Sequence, residues 1–139
     1  MLNQLLKEMY NKNIQIEVKE KNTLNLIYEQ GVLTPELKQF IKKNKQQLIK
    51  RLKENDAAQK KGFLVYEFGM LYEYRYGLGA FLFIERNPEG STTSWRANYG
   101  TGDSKPYKIK FLRRDVDFED AYREAANFVD WLKKKRRAG

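Results

Sequence analysis

Apolar residues recur at helical spacing at the start of the chain, at Leu2, Leu5, Leu6 and Met9, and predict a first helix. The period then drops to two. Ile14, Ile16 and Val18 alternate with polar neighbours, and so do Leu24, Leu26 and Tyr28, so each run reads as a half-buried strand. Glu20-Lys21-Asn22 between them is a hairpin turn, and Gly31 ends the second strand. Thr34-Pro35-Glu36 then supplies an N-cap, a proline at the first helical position and an acid in the first turn. Leu37, Phe40 and Ile41 line one helical face and Leu48, Ile49 and Leu52 another, with Asn44 at the joint. The predicted order is helix, strand, strand, helix, helix.

Beyond Gly62 the period-two pattern dominates. Phe63–Phe68 and Leu71–Tyr76 are strand-like and aromatic, and Gly77-Leu78-Gly79 interrupts them. Ala80–Glu85 is the most apolar run and reads as a central strand. Asn87-Pro88-Glu89-Gly90 is a turn, Thr92–Tyr99 a further strand, and the stretch from Gly100 to Pro106 a loop. Tyr107–Leu112 alternates apolar with basic. Asp117 then caps a last helix whose face carries Phe118, Ala121, Tyr122, Ala125, Val129 and Leu132. The expected class is α+β: a small αββαα module, then an antiparallel sheet of four or five strands with a C-terminal helix.

Composition changes at the junction. Through Asn55 there are 11 Lys/Arg, 6 Asp/Glu and three aromatics; from Asp56 onward there are 16, 12 and 16. This places a module at 1–55, a linker or frayed helix end at 56–61, and a sheet-plus-helix domain at 62–139.

The first module resembles the N-terminal docking domain of the TubC type. The resemblance spans residues 2–53 and rests on Leu5-Leu6, the paired strands, the turn Gly31-Val32-Leu33-Thr34-Pro35-Glu36-Leu37, and Ile41, Asn44-Lys45 and Leu48-Ile49 at matching offsets. It implies a module that joins subunits of peptide-synthetase assembly lines, typically as a homodimer, and pairs with a short segment of the next protein. Related modules occur on phage and plasmid replication proteins. A chain of 139 residues has no room for a synthetase domain, which points to docking or nucleic-acid handling in another setting.

Absent chemistry narrows the function. There is no cysteine and no histidine, which excludes disulfides, Cys/His zinc sites, cysteine nucleophiles and histidine bases. No calcium-loop spacing or carboxylate pair in an apolar segment stands in their place. The expectation is a non-enzymatic cytoplasmic protein without cofactor, metal, secretory signal or membrane span. The net charge of +9 favours a polyanionic partner.

Two sets of candidate residues follow. Nucleic acid, single-stranded DNA first, is expected at Tyr74, Arg75, Trp95, Arg96, Tyr99, Lys105, Lys108, Lys110 and Arg113, with Lys134 and Arg136 from the basic tail. Aromatics there would stack on bases, at about 1–3 kcal/mol each, while cations follow phosphates. Tyr72, Tyr74 and Tyr76 share one strand face, which is either this stacking surface or the buried side of the sheet. The tail Lys133–Arg137 is either a phosphate grip or a solvated helix end. Partner docking is expected at Lys38, Lys42, Lys45, Ile16 and Leu26, although the lysines equally suit the solvent face of an amphipathic helix. The leading expectation is an accessory protein that binds nucleic acid and docks to a polymerase or primase of a mobile element. The alternative is a protein-docking adaptor without nucleic-acid binding.

Overall fold

A computed structural model describes residues 2–138. They divide into two compact units, Met1–Ala57 and Ala58–Gly139.

The first unit contains α1 (Leu2–Asn11), the antiparallel hairpin β1 (Gln15–Lys19) and β2 (Thr23–Ile27), α2 (Pro35–Lys43) and most of α3 (Lys45–Lys61). The order is the one the apolar spacing predicts. Its core is Leu5, Leu6 and Met9 from α1, Ile14, Leu37 and Ile41, and Leu48 and Ile49 from α3, all buried. Burying each such aliphatic side chain is worth about 1.5–3 kcal/mol, and eight of them suit a unit of this small size. Thr34 caps α2: its Oγ1 accepts the Leu37 N–H at 3.1 Å, and Pro35 follows at the first helical position. Asn44 separates the two helices. Buried itself, it donates through Nδ2 to the Phe40 carbonyl at 2.9 Å, while its own carbonyl accepts the Leu48 N–H at 2.9 Å. One residue thus ends α2 through its side chain and starts α3 through its backbone carbonyl.

Residues 56–61, read from the sequence as a linker or a frayed helix end, form the last turns of α3. Ala57-Ala58-Gln59-Lys60-Lys61 consists of good helix formers with no breaker until Gly62. There the helix closes in a Schellman pattern: Phe63 N–H reaches the Ala58 carbonyl at 2.9 Å, Gly62 N–H reaches Gln59 at 3.0 Å, and Gly62 has φ +107°.

The second unit is a five-stranded antiparallel sheet, β3 (Leu64–Tyr66), β4 (Leu71–Gly77), β5 (Ala80–Arg86), β6 (Thr92–Tyr99) and β7 (Pro106–Val116), in simple sequential order. Helix α4 (Phe118–Ala138) crosses one face of it. Asp117 caps α4, its Oδ1 accepting the Asp120 N–H at 2.9 Å. Ala121, Ala125 and Val129 fall at helical spacing, and all three are buried against Tyr72, Leu82 and Ile84. The two alanines let the helix lie close to the sheet.

Two strand boundaries differ from expectation. The apolar run from Phe63 to Phe68 makes only three strand residues. Glu67–Gly69 turns as a 3-10 segment, and Glu67 and Phe68 take positive φ. Arg86 explains the turn, since its Nε donates to the Gly69 carbonyl at 2.6 Å, which holds the backbone out of the ladder. β7 runs four residues further than the alternation at 107–112 predicts. Register shifts opposite Ser94 and Trp95 let it continue to pair with β6 as far as Thr92↔Val116.

Candidate binding faces

A sheet with one helix has one covered face and one open face. The covered face of the second unit holds Tyr72 and Tyr74 of β4, in register with Ile84 and Leu82, and Tyr76 at the register shift before Gly77. Tyr72 is fully buried against Phe118, with ring centroids 5.5 Å apart. Tyr74 lies 5.5 Å from Phe63, and Tyr76 meets Phe128 edge-on at 5.2 Å. The tyrosine stripe is therefore the buried side of the sheet. Burial pushes the Tyr122 hydroxyl pKa up, and this ring stacks on Phe118 at 5.6 Å in the same layer.

Arg96 is on that side too. Its guanidinium lies 4.3 Å from the Phe128 ring centroid, and its Nε donates to the Tyr76 hydroxyl at 3.1 Å. Tyr74 and Arg96, two of the residues expected to meet nucleic acid, thus lie half-buried on the helix side of the sheet. α4 needs an apolar face to pack on, and these side chains make its margin. Register puts Lys110 opposite Arg96, Lys108 opposite Asn98 and Arg113 opposite Ser94. These three cations stand on the helix side, exposed at the sheet edge. Arg136 binds the Tyr76 carbonyl at 3.0 Å, and Lys134 and Lys105 are exposed, the latter in the loop before β7.

The open face holds Arg75, Trp95 and Tyr99 of the expected set. It also holds residues that the sequence reading did not single out: Phe81 and Phe83 of β5, and Ile109, Phe111 and Arg114 of β7. Register aligns Phe83, Trp95 and Phe111 in one row and Phe81, Ala97 and Ile109 in the next. Phe81 stacks on Phe83 at 5.7 Å, Phe83 meets Trp95 at 4.6 Å, and Tyr99 meets Phe81 edge-on at 5.5 Å. Arg75 lies 4.8 Å from the Phe81 centroid and Arg114 4.3 Å from that of Phe111. On the β7 side the face is solvated: Tyr107, Ile109 and Phe111 are 72%, 49% and 47% exposed. At the opposite margin the Tyr66 hydroxyl donates to Glu73 at 3.1 Å, and partial burial, then that carboxylate, raises its pKa.

A signal for this face was present. Ala80–Glu85 is apolar at odd and even positions alike. A strand apolar on both sides needs two covers, and the sequence supplies one helix after the sheet.

In the first unit, Ile16 pairs across the hairpin with Leu26 and Val18 with Leu24, all half-buried. The opposite hairpin face carries Gln15, Glu17, Lys19, Asn25 and Ile27. Lys19 sits 3.0 Å from Glu17 and holds its carboxyl below the usual range. Lys38, Lys42 and Lys45 are exposed on α2 and at the start of α3. The expected docking residues thus fall into two groups, an apolar pair on the inner hairpin face and three solvated cations. Among the described residues, no three Asp, Glu, His or Cys side chains gather where they could hold a metal ion, and no helix is long and apolar enough to cross a membrane.

The family model of the TubC N-terminal docking domain matches residues 2–54, against the 2–53 expected from the resemblance. No curated protein and no solved structure matches the chain.

Proposed function

We propose that this protein is a non-catalytic docking adaptor whose first unit captures a segment of a partner protein. The match of residues 2–54 to a docking-domain family carries the reading. Ile16 and Leu26 give the hairpin a half-buried apolar face, and Lys38, Lys42 and Lys45 would attract an acidic segment of the partner or orient a second copy. Reversing the three lysines to Glu tests this without touching the core. Capture from the source cell should enrich one protein, survive nuclease treatment and drop at least tenfold in the triple variant. Failure to enrich any nuclease-resistant partner overturns the reading.

A second reading concerns the second unit, which we read as a nucleic-acid binder. Lys105, Lys108, Lys110, Arg113 and Arg114 bring five cations into ten residues, with no acid among them. A polymerase or primase, which works along a nucleic-acid strand, is the partner class that would use both units. Binding to labelled DNA should be clear at low salt and fall steeply towards physiological salt through counterion release. No binding at low salt removes this reading and leaves the adaptor.

A further inference from the structure

We propose that the open face of the five-stranded sheet takes single-stranded nucleic acid, with bases stacked on the row Phe83, Trp95 and Phe111. This rests on reading the second unit as a nucleic-acid binder, and it names the face, the form of the strand and the residues.

Three observations converge. The first is the row itself, which places aromatic rings on three adjacent strands in register. Neighbouring strands lie about 4.8 Å apart, so the row sets three aromatic side chains side by side, with Phe83 and Trp95 in ring contact. Ala97, between Phe81 and Ile109 in the next row, adds no bulk beside the band. Every base has a flat face to offer such a surface, so stacking tolerates any sequence.

The second observation is charge. Arg75 and Arg114 lie over rings of this face, and a guanidinium on a ring keeps N–H groups free for a phosphate. Lys105, Lys108, Lys110 and Arg113 line the adjoining edge. Of these, Lys108, Lys110 and Arg113 stand on the helix side of β7, where a strand that leaves the rings over this edge would meet them. Glu73 and Glu85 stand on β4 and β5. The acid of β7, Asp115, lies four residues past Phe111, where Asn87 Nδ2 donates to its carboxylate and its N–H donates to Thr93 Oγ1.

The third observation is shape. The face is a sheet surface with α4 on its other side. A duplex buries its base faces inside its own stack and would present only phosphates to the rings. Only an unpaired strand can use both the rings and the cations.

The protein has two tryptophans, Trp95 and Trp131. In the full chain, Trp131→Phe leaves Trp95 as the sole reporter. Titration at low salt with oligo-dT and oligo-U of about 15 nucleotides, and with a duplex of the same length, should quench Trp95 with the single strands only. Phe111→Ala should weaken single-strand binding roughly tenfold, and Phe83→Ala similarly. Should Phe83→Ala not fold, Phe111→Ala decides, because Phe111 is nearly half exposed on an edge strand. Equal binding of single strand and duplex, with unchanged Trp95 emission, overturns the proposed face while nucleic-acid binding stands. Absence of all binding overturns both. Concentration-dependent dimerisation of the free protein, abolished by Phe111→Ala, assigns the face to a second copy and overturns the proposal.

Discussion

Gly79 shows how closely the second unit is fitted at single residues. A Cβ there would sit 2.3 Å from the Tyr99 carbonyl oxygen, and its φ of +70° is one that side chains rarely adopt. The Tyr99 N–H also donates to the Gly79 carbonyl at 2.8 Å. Gly79→Ala is expected to lower stability by about 1–3 kcal/mol, read from a denaturant midpoint, and to loosen the Tyr99 ring against Phe81. A second residue-scale prediction concerns pH. Lys61 lies 2.6 Å from Asp130 and holds its carboxyl below the usual range. A depressed folded-state pKa stabilises the fold above the unfolded carboxylate pKa, and the contribution is lost as pH falls through that range. The thermal midpoints of the wild type and Asp130→Asn should differ slightly at neutral pH and converge on acidification. A constant gap would show that charge is not the cause. Caps were legible at this scale because a cap is local: Thr34 and Asp117 act within three residues. Arg96 was not legible, because its partners Tyr76 and Phe128 lie 20 and 32 positions away, and a cation in a strand looks solvent-bound until a helix covers it.

At the scale of elements, α4 depends on its small residues. Ala125 is fully buried against the sheet, so Ala125→Leu should cost about 1–3 kcal/mol through overpacking. Asp117→Ala removes the cap and should cost about 1 kcal/mol. Both are measurable by chemical denaturation, and a neutral Ala125→Leu would mean that α4 sits less closely than described. Periodicity located every helix and most strands, since burial imposes that periodicity. It failed where another force shaped the backbone. The Glu67–Gly69 turn is held by the side chain of Arg86, 17 positions on from Gly69, and 56–61 left a linker and a frayed helix end both open because it is polar. The faces of β4 and β5 were separable in sequence, yet which one α4 covers is a tertiary fact. Tyr74 and Trp95 therefore looked equivalent.

At the scale of the whole molecule, each unit has its own core, and both tryptophans belong to the second. Leu48→Ala and Leu82→Ala each create a cavity at a fully buried site, at about 2–5 kcal/mol. Tryptophan fluorescence should follow Leu82→Ala on melting and stay unmoved by Leu48→Ala, whereas far-UV circular dichroism should register both. Equal shifts in fluorescence would show that the units unfold together.

β7 ends the sheet, paired on one side only, with its ladder interrupted by register shifts and its length set with lysine and arginine. An open strand edge beside an exposed aromatic surface is an ordinary starting point for polymerisation into fibres. Here like charges repel any copy that approaches edge to edge, and the irregular ladder denies it a straight template. The cations proposed to meet a polyanion would therefore also guard the edge of the sheet against association with a second copy.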